Sequence, residues 1–237
     1  YTATTTGVTP LTGEILVNTQ TVNAQNAAAI TPLANGSFVV TWVDFSLLGG
    51  DNSNGAIKAQ VFSATGAKIG SELLVNTQTL NRQQNPQIGA LSNGNFVVSW
   101  EDASLIGGDN VGFGIKAQIY NPLGERIGGE FLVNTIVRNS QTQTGVTGLT
   151  NGGFVITWPD ESGNGGESSG LAIAAQLFDA TGAKIGSQFL VNTQTAGSQN
   201  AATITGLIDG GFVITWVDPS LIGGDASGTA IKAQIYS

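Results

Sequence analysis

The sequence predicts an all-β protein, a four-bladed β-propeller of 58-residue repeats, and three observations predict it. The four tryptophans, Trp42, Trp100, Trp158 and Trp216, stand 58 residues apart, and each closes a Phe-Val-(Val/Ile)-(Thr/Ser)-Trp run. A period that long and regular fills the 237 residues with four repeats and little else. Short apolar runs alternate with Gly, Pro and Asn turns, and no segment sustains a helical period. Finally, the last repeat stops after its third strand, at Ile235-Tyr236-Ser237, while residues 13–19 carry the sequence of the missing fourth. The ring is therefore expected to close by pairing the N-terminal strand with the C-terminal blade, which also removes an exposed sheet edge. This defines one domain, residues 1–237, with blade repeats at about 20–77, 78–135, 136–193 and 194–237, the last completed by 1–19. Two chains forming an eight-bladed ring is the second possibility, and a stack of small β-sandwiches the third.

The second repeat shows each element in order. Residues 72–77 are a short apolar strand, and 78–85 a polar connector. Residues 86–91 form the next strand, and Ser92-Asn93-Gly94-Asn95 a hairpin turn with an Asn-Gly pair. Residues 96–100 follow as a strand in which Phe96, Val98 and Trp100 share one face. A Gly-rich loop covers 101–114, residues 115–120 make the last strand, and Asn121-Pro122-Leu123-Gly124 turns the chain back. Large apolar side chains on one strand face and smaller ones on the other suit a blade covered on both sides by its copies. The short turns then share one end of the propeller. The connector and the long loop share the other, which is the candidate binding face.

Composition narrows the chemistry. Sixteen acids against eight bases give a net charge of −8, which disfavours nucleic acid and anionic membrane surfaces and leaves divalent cations as possible partners. No Cys and no His means no disulfide, no thiol chemistry and no common zinc ligand. No apolar segment is long enough for membrane insertion. Met is absent even at position 1, so the chain is expected to be a processed or excerpted piece.

The long loop carries two acids seven residues apart in every copy: Asp44 and Asp51, Asp102 and Asp109, Asp160 and Glu167, Asp218 and Asp225. On a Gly-rich loop such a pair could converge on Ca2+, with backbone carbonyls completing its oxygen set. The plainer reading is that each Asp caps loop backbone as an Asx-turn. Between the acids stand Leu47-Leu48, Leu105-Ile106 and Leu221-Ile222, read first as an inward plug and second as a contact patch. Gln25, Gln83, Gln141 and Gln199, together with Phe45 and Phe113, are the ligand-binding candidates. An amide can both donate to and accept from a sugar, although tying loop backbone is its commoner task. Catalysis by paired carboxylates would break the fourfold sameness, and only the unrepeated Glu101 and Glu161 offer weak acid/base candidates on that face.

The strings Glu130-Phe131-Leu132-Val133-Asn134-Thr135 and Gly152-Gly153-Phe154-Val155-Ile156-Thr157-Trp158, followed by Ala175-Gln176-Leu177-Phe178, resemble tandem repeats of very large secreted bacterial proteins. These are the adhesin-like and haemolysin-type calcium-binding (RTX-like) proteins of proteobacteria and cyanobacteria. The resemblance implies an extracellular or cell-surface protein. The nonapeptide calcium repeat Gly-Gly-x-Gly-x-Asp is not present as an array, so calcium does not follow from it. The architecture would be similar to haemopexin-like four-bladed propellers. The expectation is a non-enzymatic extracellular module for adhesion or matrix structure, meeting glycan, cell-surface material or another copy of itself. A calcium-stabilised glycan-binding lectin is the alternative, and a glycoside-acting enzyme the second alternative.

Overall fold

A computed structural model describes residues 10–51, 53–142, 144–163, 170–224 and 227–237. Every regular element in them is a strand. The first sheet is β1 (Gln25–Pro32), β2 (Phe38–Asp44), β3 (Ala56–Phe62) and β4 (Lys68–Leu74). The second is β5 (Gln83–Ala90), β6 (Phe96–Asp102), β7 (Gly114–Tyr120) and β8 (Arg126–Leu132). The third is β9 (Gly145–Gly148), β10 (Phe154–Asp160), β11 (Ala172–Phe178) and β12 (Lys184–Leu190). The fourth has β13 (Asn200–Gly206), β14 (Phe212–Asp218) and β15 (Ala230–Tyr236). All are antiparallel meanders in chain order. The sheets pack side by side, with the innermost strands β1, β5, β9 and β13 in contact in sequence.

Each sheet is buried on both faces because its residues alternate between two neighbours. Between the first and second sheets, Val39, Val43, Ile57, Val61 and Val75 meet Phe96, Val98, Trp100 and Tyr120. The same positions recur one and two repeats later, with Val97, Ile115 and Val133 against Phe154, Ile156 and Trp158, then Val155, Ile173 and Val191 against Phe212, Ile214 and Trp216. The Phe of each second strand stacks on the aromatic facing it across the hairpin: Phe38 on Phe62, Phe96 on Tyr120, Phe154 on Phe178, Phe212 on Tyr236. The tryptophans therefore mark the junctions between sheets, and this junction packing sets the 58-residue period.

A buried glutamine holds the bulge in each outer hairpin. The register between β3 and β4 shifts between Ala59 and Val61, and Gln60 Nε2 donates to the carbonyls of Val61 and Ile69 there. Gln118 and Gln176 repeat the arrangement. A bulge leaves backbone groups without a cross-strand partner, and the amide satisfies them.

Two expectations are corrected. The N-terminal strand does not add to the last sheet. That sheet has three strands, and residues 13–19 run as irregular chain beside the first sheet, where Val17 packs with Val40, Trp42 and Phe62. β1 and β13 do not pack as the other neighbouring inner strands do. The physical reason is that this segment already makes its side-chain bonds to the first sheet, through Asn18 and Thr19. The paired apolar loop residues also do not plug the ring. Leu47 and Leu48, Leu105 and Ile106, Leu221 and Ile222 remain about half exposed, with Leu47, Leu105 and Leu221 turned outward by a left-handed backbone.

The asparagine after each fourth strand is a junction in itself. Asn134 Oδ1 accepts from Ile115 N at 2.9 Å, and its Nδ2 donates to Gln141 Oε1 at 3.0 Å. Replacing Asn134 by Ala strands both buried partners, at a cost of about 3 kcal/mol. Urea unfolding should show that loss, and Gln141→Ala in the same chain should add less than its separate effect.

Candidate functional site

The inner strands converge on one axial cavity of about 520 Å³. Its wall comes from all four sheets: Ala27 and Ala28, then Asn85 to Gln87, then Thr144 to Val146, then Ala202 to Ile204. Bulges shape it. The register of β1 breaks between Asn26 and Ala29, of β5 between Gln84 and Gln87, and of β13 between Asn200 and Thr203. At each bulge one residue without glycine's freedom takes a left-handed backbone: Ala27 at φ 51°, Asn85 at 51° and Ala201 at 50°. Such conformations cost energy and collect where a strand must be re-aimed beside a binding site. The bulges lie where the inner strands begin, opposite the ends of the second strands that lead into the long loops, so the cavity belongs to the long-loop face.

The fourfold pattern breaks at Glu101. Its repeat counterparts are Val43, Pro159 and Val217. Glu101 is buried, and its carboxylate accepts from Gln84 Nε2 at 2.6 Å and from Asn85 Nδ2 at 2.8 Å. Asn85 is itself cavity wall, so the carboxylate lies one side chain behind the surface. Glu161 is exposed at the start of the third repeat's long loop, its backbone N donating to Ser140 O.

The glutamines expected to meet ligand are instead buried in the junctions. Gln83, Gln141 and Gln199 are fully enclosed, each accepting from the preceding sheet's asparagine and donating to its own sheet's Asp102, Asp160 or Asp218. Gln25, half-buried, does the same between Asn18 and Asp44. Their amides are consumed, which removes them as sugar contacts. Phe45 is half-buried against the first core cluster with the Arg82 guanidinium over its ring, and Phe113 is half-buried, its carbonyl accepting from Gln141 N.

The loop acids are consumed as well. Asp44, Asp102, Asp160 and Asp218 each accept from the backbone N and the hydroxyl of the serine two residues on, the Asx-turn arrangement. Asp51 accepts from Ser53 N and Asn76 Nδ2. Glu167 and Asp225 lie outside the described residues. The positive charge at these acids is an internal ammonium. Lys116 Nζ sits 3.0 Å from Glu130 and 3.5 Å from Asp102, Lys58 sits 3.7 Å from Glu72, and Lys232 meets Asp218. Donors saturate the carboxylates, and among the described residues no three acids gather to hold a metal. The residues present do not fit a calcium ion, because what surrounds these carboxylates is N–H, O–H and ammonium rather than further oxygens.

The third repeat solves the same problem without charge. Ala174 stands where the others have lysine, and Gln188 where the first two have glutamate. Gln188 Nε2 donates to Asp160 at 3.4 Å while its Oε1 accepts from Thr135 N and Oγ1. One amide replaces an ammonium and a carboxylate together. Sequence reading missed this lysine–glutamate pair, although its 14-residue spacing recurs and its loss in the third repeat is coordinated.

Asp109 differs from Asp51. Gly114 stands where other copies have alanine, a Cβ there would collide with Asp109 Oδ2, and that buried oxygen has no hydrogen-bond donor. Burial pushes the Asp109 carboxyl above its usual range.

No protein-family model and no curated sequence matches the chain. Among solved structures it is similar to the GH93 α-L-arabinofuranosidase of Fusarium graminearum in complex with arabinobiose, at 14% identity over 89% of this chain and 62% of that one, with a TM-score of 0.58. It is also similar to the α-L-arabinanase of Penicillium chrysogenum in complex with arabinobiose, at 13% identity over 88% and 61%, TM-score 0.57. The intramolecular trans-sialidase of Ruminococcus gnavus matches at 12% identity over 87% and 42%, TM-score 0.53. The chain thus spans about three-fifths of the length of the first two. At such identity the likeness is one of fold, that of propeller glycosidases. It corrects two expectations. The structural neighbours are glycoside hydrolases and not RTX-like or haemopexin-like proteins, and this overturns the non-enzymatic adhesin or lectin module as the leading reading.

Two measurements check the electrostatics. Lys116→Met leaves Glu130 and Asp102 buried without their cation and should cost about 3–5 kcal/mol. Lys116→Ala with Glu130→Gln, copying the third repeat, should recover most of it, and chelator should leave Tm unchanged in every variant. For Asp109 the raised folded pKa means the folded state binds the extra proton between the unfolded and folded values, so its contribution to stability falls as pH rises through that window. Asp109→Asn should therefore raise Tm at pH 7 and change it least at pH 3.

Proposed function

We propose that the chain is a glycoside-acting propeller that takes a saccharide into the axial cavity of its long-loop face. The observation that carries this reading is the placement of Glu101: one unrepeated, buried carboxylate, clamped to a strained bulge that forms the cavity wall. The cavity size is in the range of small-ligand sites. Its wall mixes amides and hydroxyls (Asn85, Gln87, Thr144, Thr203) with small apolar groups, which suits the hydroxyls and C–H faces of a sugar ring. Support also comes from the fold, since the similar arabinofuranosidase and arabinanase bind arabinobiose.

In this reading Glu101 protonates the leaving oxygen, released from Asn85 as the sugar displaces that side chain. Glu161, the other unrepeated acid of this face, supplies the second carboxylate that glycoside cleavage needs. A panel of aryl glycosides and arabino-oligosaccharides should reveal turnover. Glu101→Gln should lower kcat about 10²-fold or more while calorimetric binding of arabinobiose is retained. Absence of both binding and turnover across the panel, or full activity in the variant, overturns the reading.

A further inference from the structure

We infer that the outer edge of β15 is an interface for residues 11–19 of a second copy of this chain. Three junctions between sheets share a common closing contact. The threonine after one sheet's fourth strand donates through N and Oγ1 to the glutamate or glutamine of the next sheet's fourth strand: Thr19 to Glu72, Thr77 to Glu130, Thr135 to Gln188. Thr193 occupies the fourth such position and makes no such bond. It lies instead on a depression of about 280 Å³ together with Asn192, Trp216, Asp218 and Lys232. The depression is bounded by a threonine and an ammonium, the two groups that hold Glu130 in the complete junction.

The chain carries one segment that matches. Counting by the repeat, Glu14 is the copy of Glu72 and Glu130. It is exposed, and its segment is unpaired. Lys232 still has Asp218, but its side chain is 22% exposed, against 3% for Lys58 and Lys116, which also have their glutamates. The charges therefore complement each other across the two unmatched surfaces.

Apolar side chains complement each other in the same register. β3 and β4 align Lys58 with Leu74, Ala59 with Leu73 and Val61 with Ile69. Shifted by the repeat, this aligns Lys232 with Leu16, Ala233 with Ile15 and Ile235 with Leu11. Leu11 is 95% exposed and Ile235 68% exposed, whereas Val61, the first-sheet copy of Ile235, is buried. Ile231 is 74% exposed, while its copies Ile57, Ile115 and Ile173 are enclosed, each donating its N–H to an asparagine whose fourth copy is Asn18.

A second copy is the occupant because one chain keeps its two halves apart. Thr19 and Asn18 are held on the first sheet, and β1 does not pack on β13. Strand addition between copies supplies both missing sides at once, head to tail, and closes into a two-copy ring or continues as a filament according to the rotation.

Charge reversal tests this on the full chain. Lys232→Glu and Glu14→Lys should each be a folded monomer by light scattering and circular dichroism, because each sets like charges against one another at the interface. The unaltered chain should run at twice 24.2 kDa or more. An equimolar mixture of the two variants restores opposite charges at both contacts and should associate again. A monomeric unaltered chain, or a mixture that stays monomeric, overturns the proposal. Cysteine exchange separates closure within one chain: Ile15→Cys mixed with Ala233→Cys should give a disulfide-linked dimer on a non-reducing gel. A cross-link formed only when both changes are in one chain assigns the edge to the chain's own segment and overturns the second copy.

Discussion

A sheet buried on both faces must satisfy every polar group it carries from within, and at each junction here one circuit does so. It can be followed from Asn76 to Gln83, from Gln83 to Asp102, from Asp102 to Lys116, from Lys116 to Glu130, and from Glu130 back to Thr77, the neighbour of Asn76. Three members also hold backbone: Asn76 the N–H of Ile57, Asp102 that of Ser104, Glu130 that of Thr77. The circuit joins the end of one sheet to the start of the next, so sheet-to-sheet position, connector shape and loop shape are set together. Hydrophobic burial supplies most of the favourable free energy, but apolar faces alone would permit sheets to slide. The saturated circuit fixes which residue faces which.

The axial cavity follows from this rigidity. Inner strands anchored at Gln83 and its copies cannot relax their bulges by shifting register, so residues such as Ala27 and Asn85 stay in conformations they would not adopt alone. Glu101 adds a second clamp in one sheet by binding both Gln84 and Asn85. The result is a nearly fourfold scaffold with a single acidic irregularity at its axis. Near-symmetry supplies the frame, and departure from it supplies chemistry.

Much of the fold was legible because its signals are local. The Trp period, the Asn-Gly turns and the alternation in runs such as Phe96 to Trp100 each act within one strand or hairpin. The strand positions in the second repeat lie within a few residues of those read from sequence, the largest difference being the early start of β5 at Gln83. The site was less legible, since its residues act across sheets. Gln83 looked like a ligand contact because a recurring amide on a connector carries no mark of burial. Asp102 looked like a calcium ligand because the neutralising ammonium of Lys116 comes from another strand. Glu101 was noticed only as an exception to the repeat; its contact with Asn85 depends on a bulge that spacing does not reveal.

The lysine and glutamate of each circuit come from the same repeat, 14 residues apart, as do the Asp and its serine. Only uncharged donors, the amide of Asn and the N–H and hydroxyl of Thr, reach across from the repeat before. A unit can therefore be duplicated, deleted or exchanged as a cassette without leaving a buried charge unmatched in its neighbour. The third repeat, with Ala174 and Gln188 in place of both charged groups, is an instance of that freedom: its electrostatics changed wholesale while the sheets on either side kept theirs. Such self-balanced units allow an array to vary in length through ordinary unequal recombination, with foldability preserved at each step.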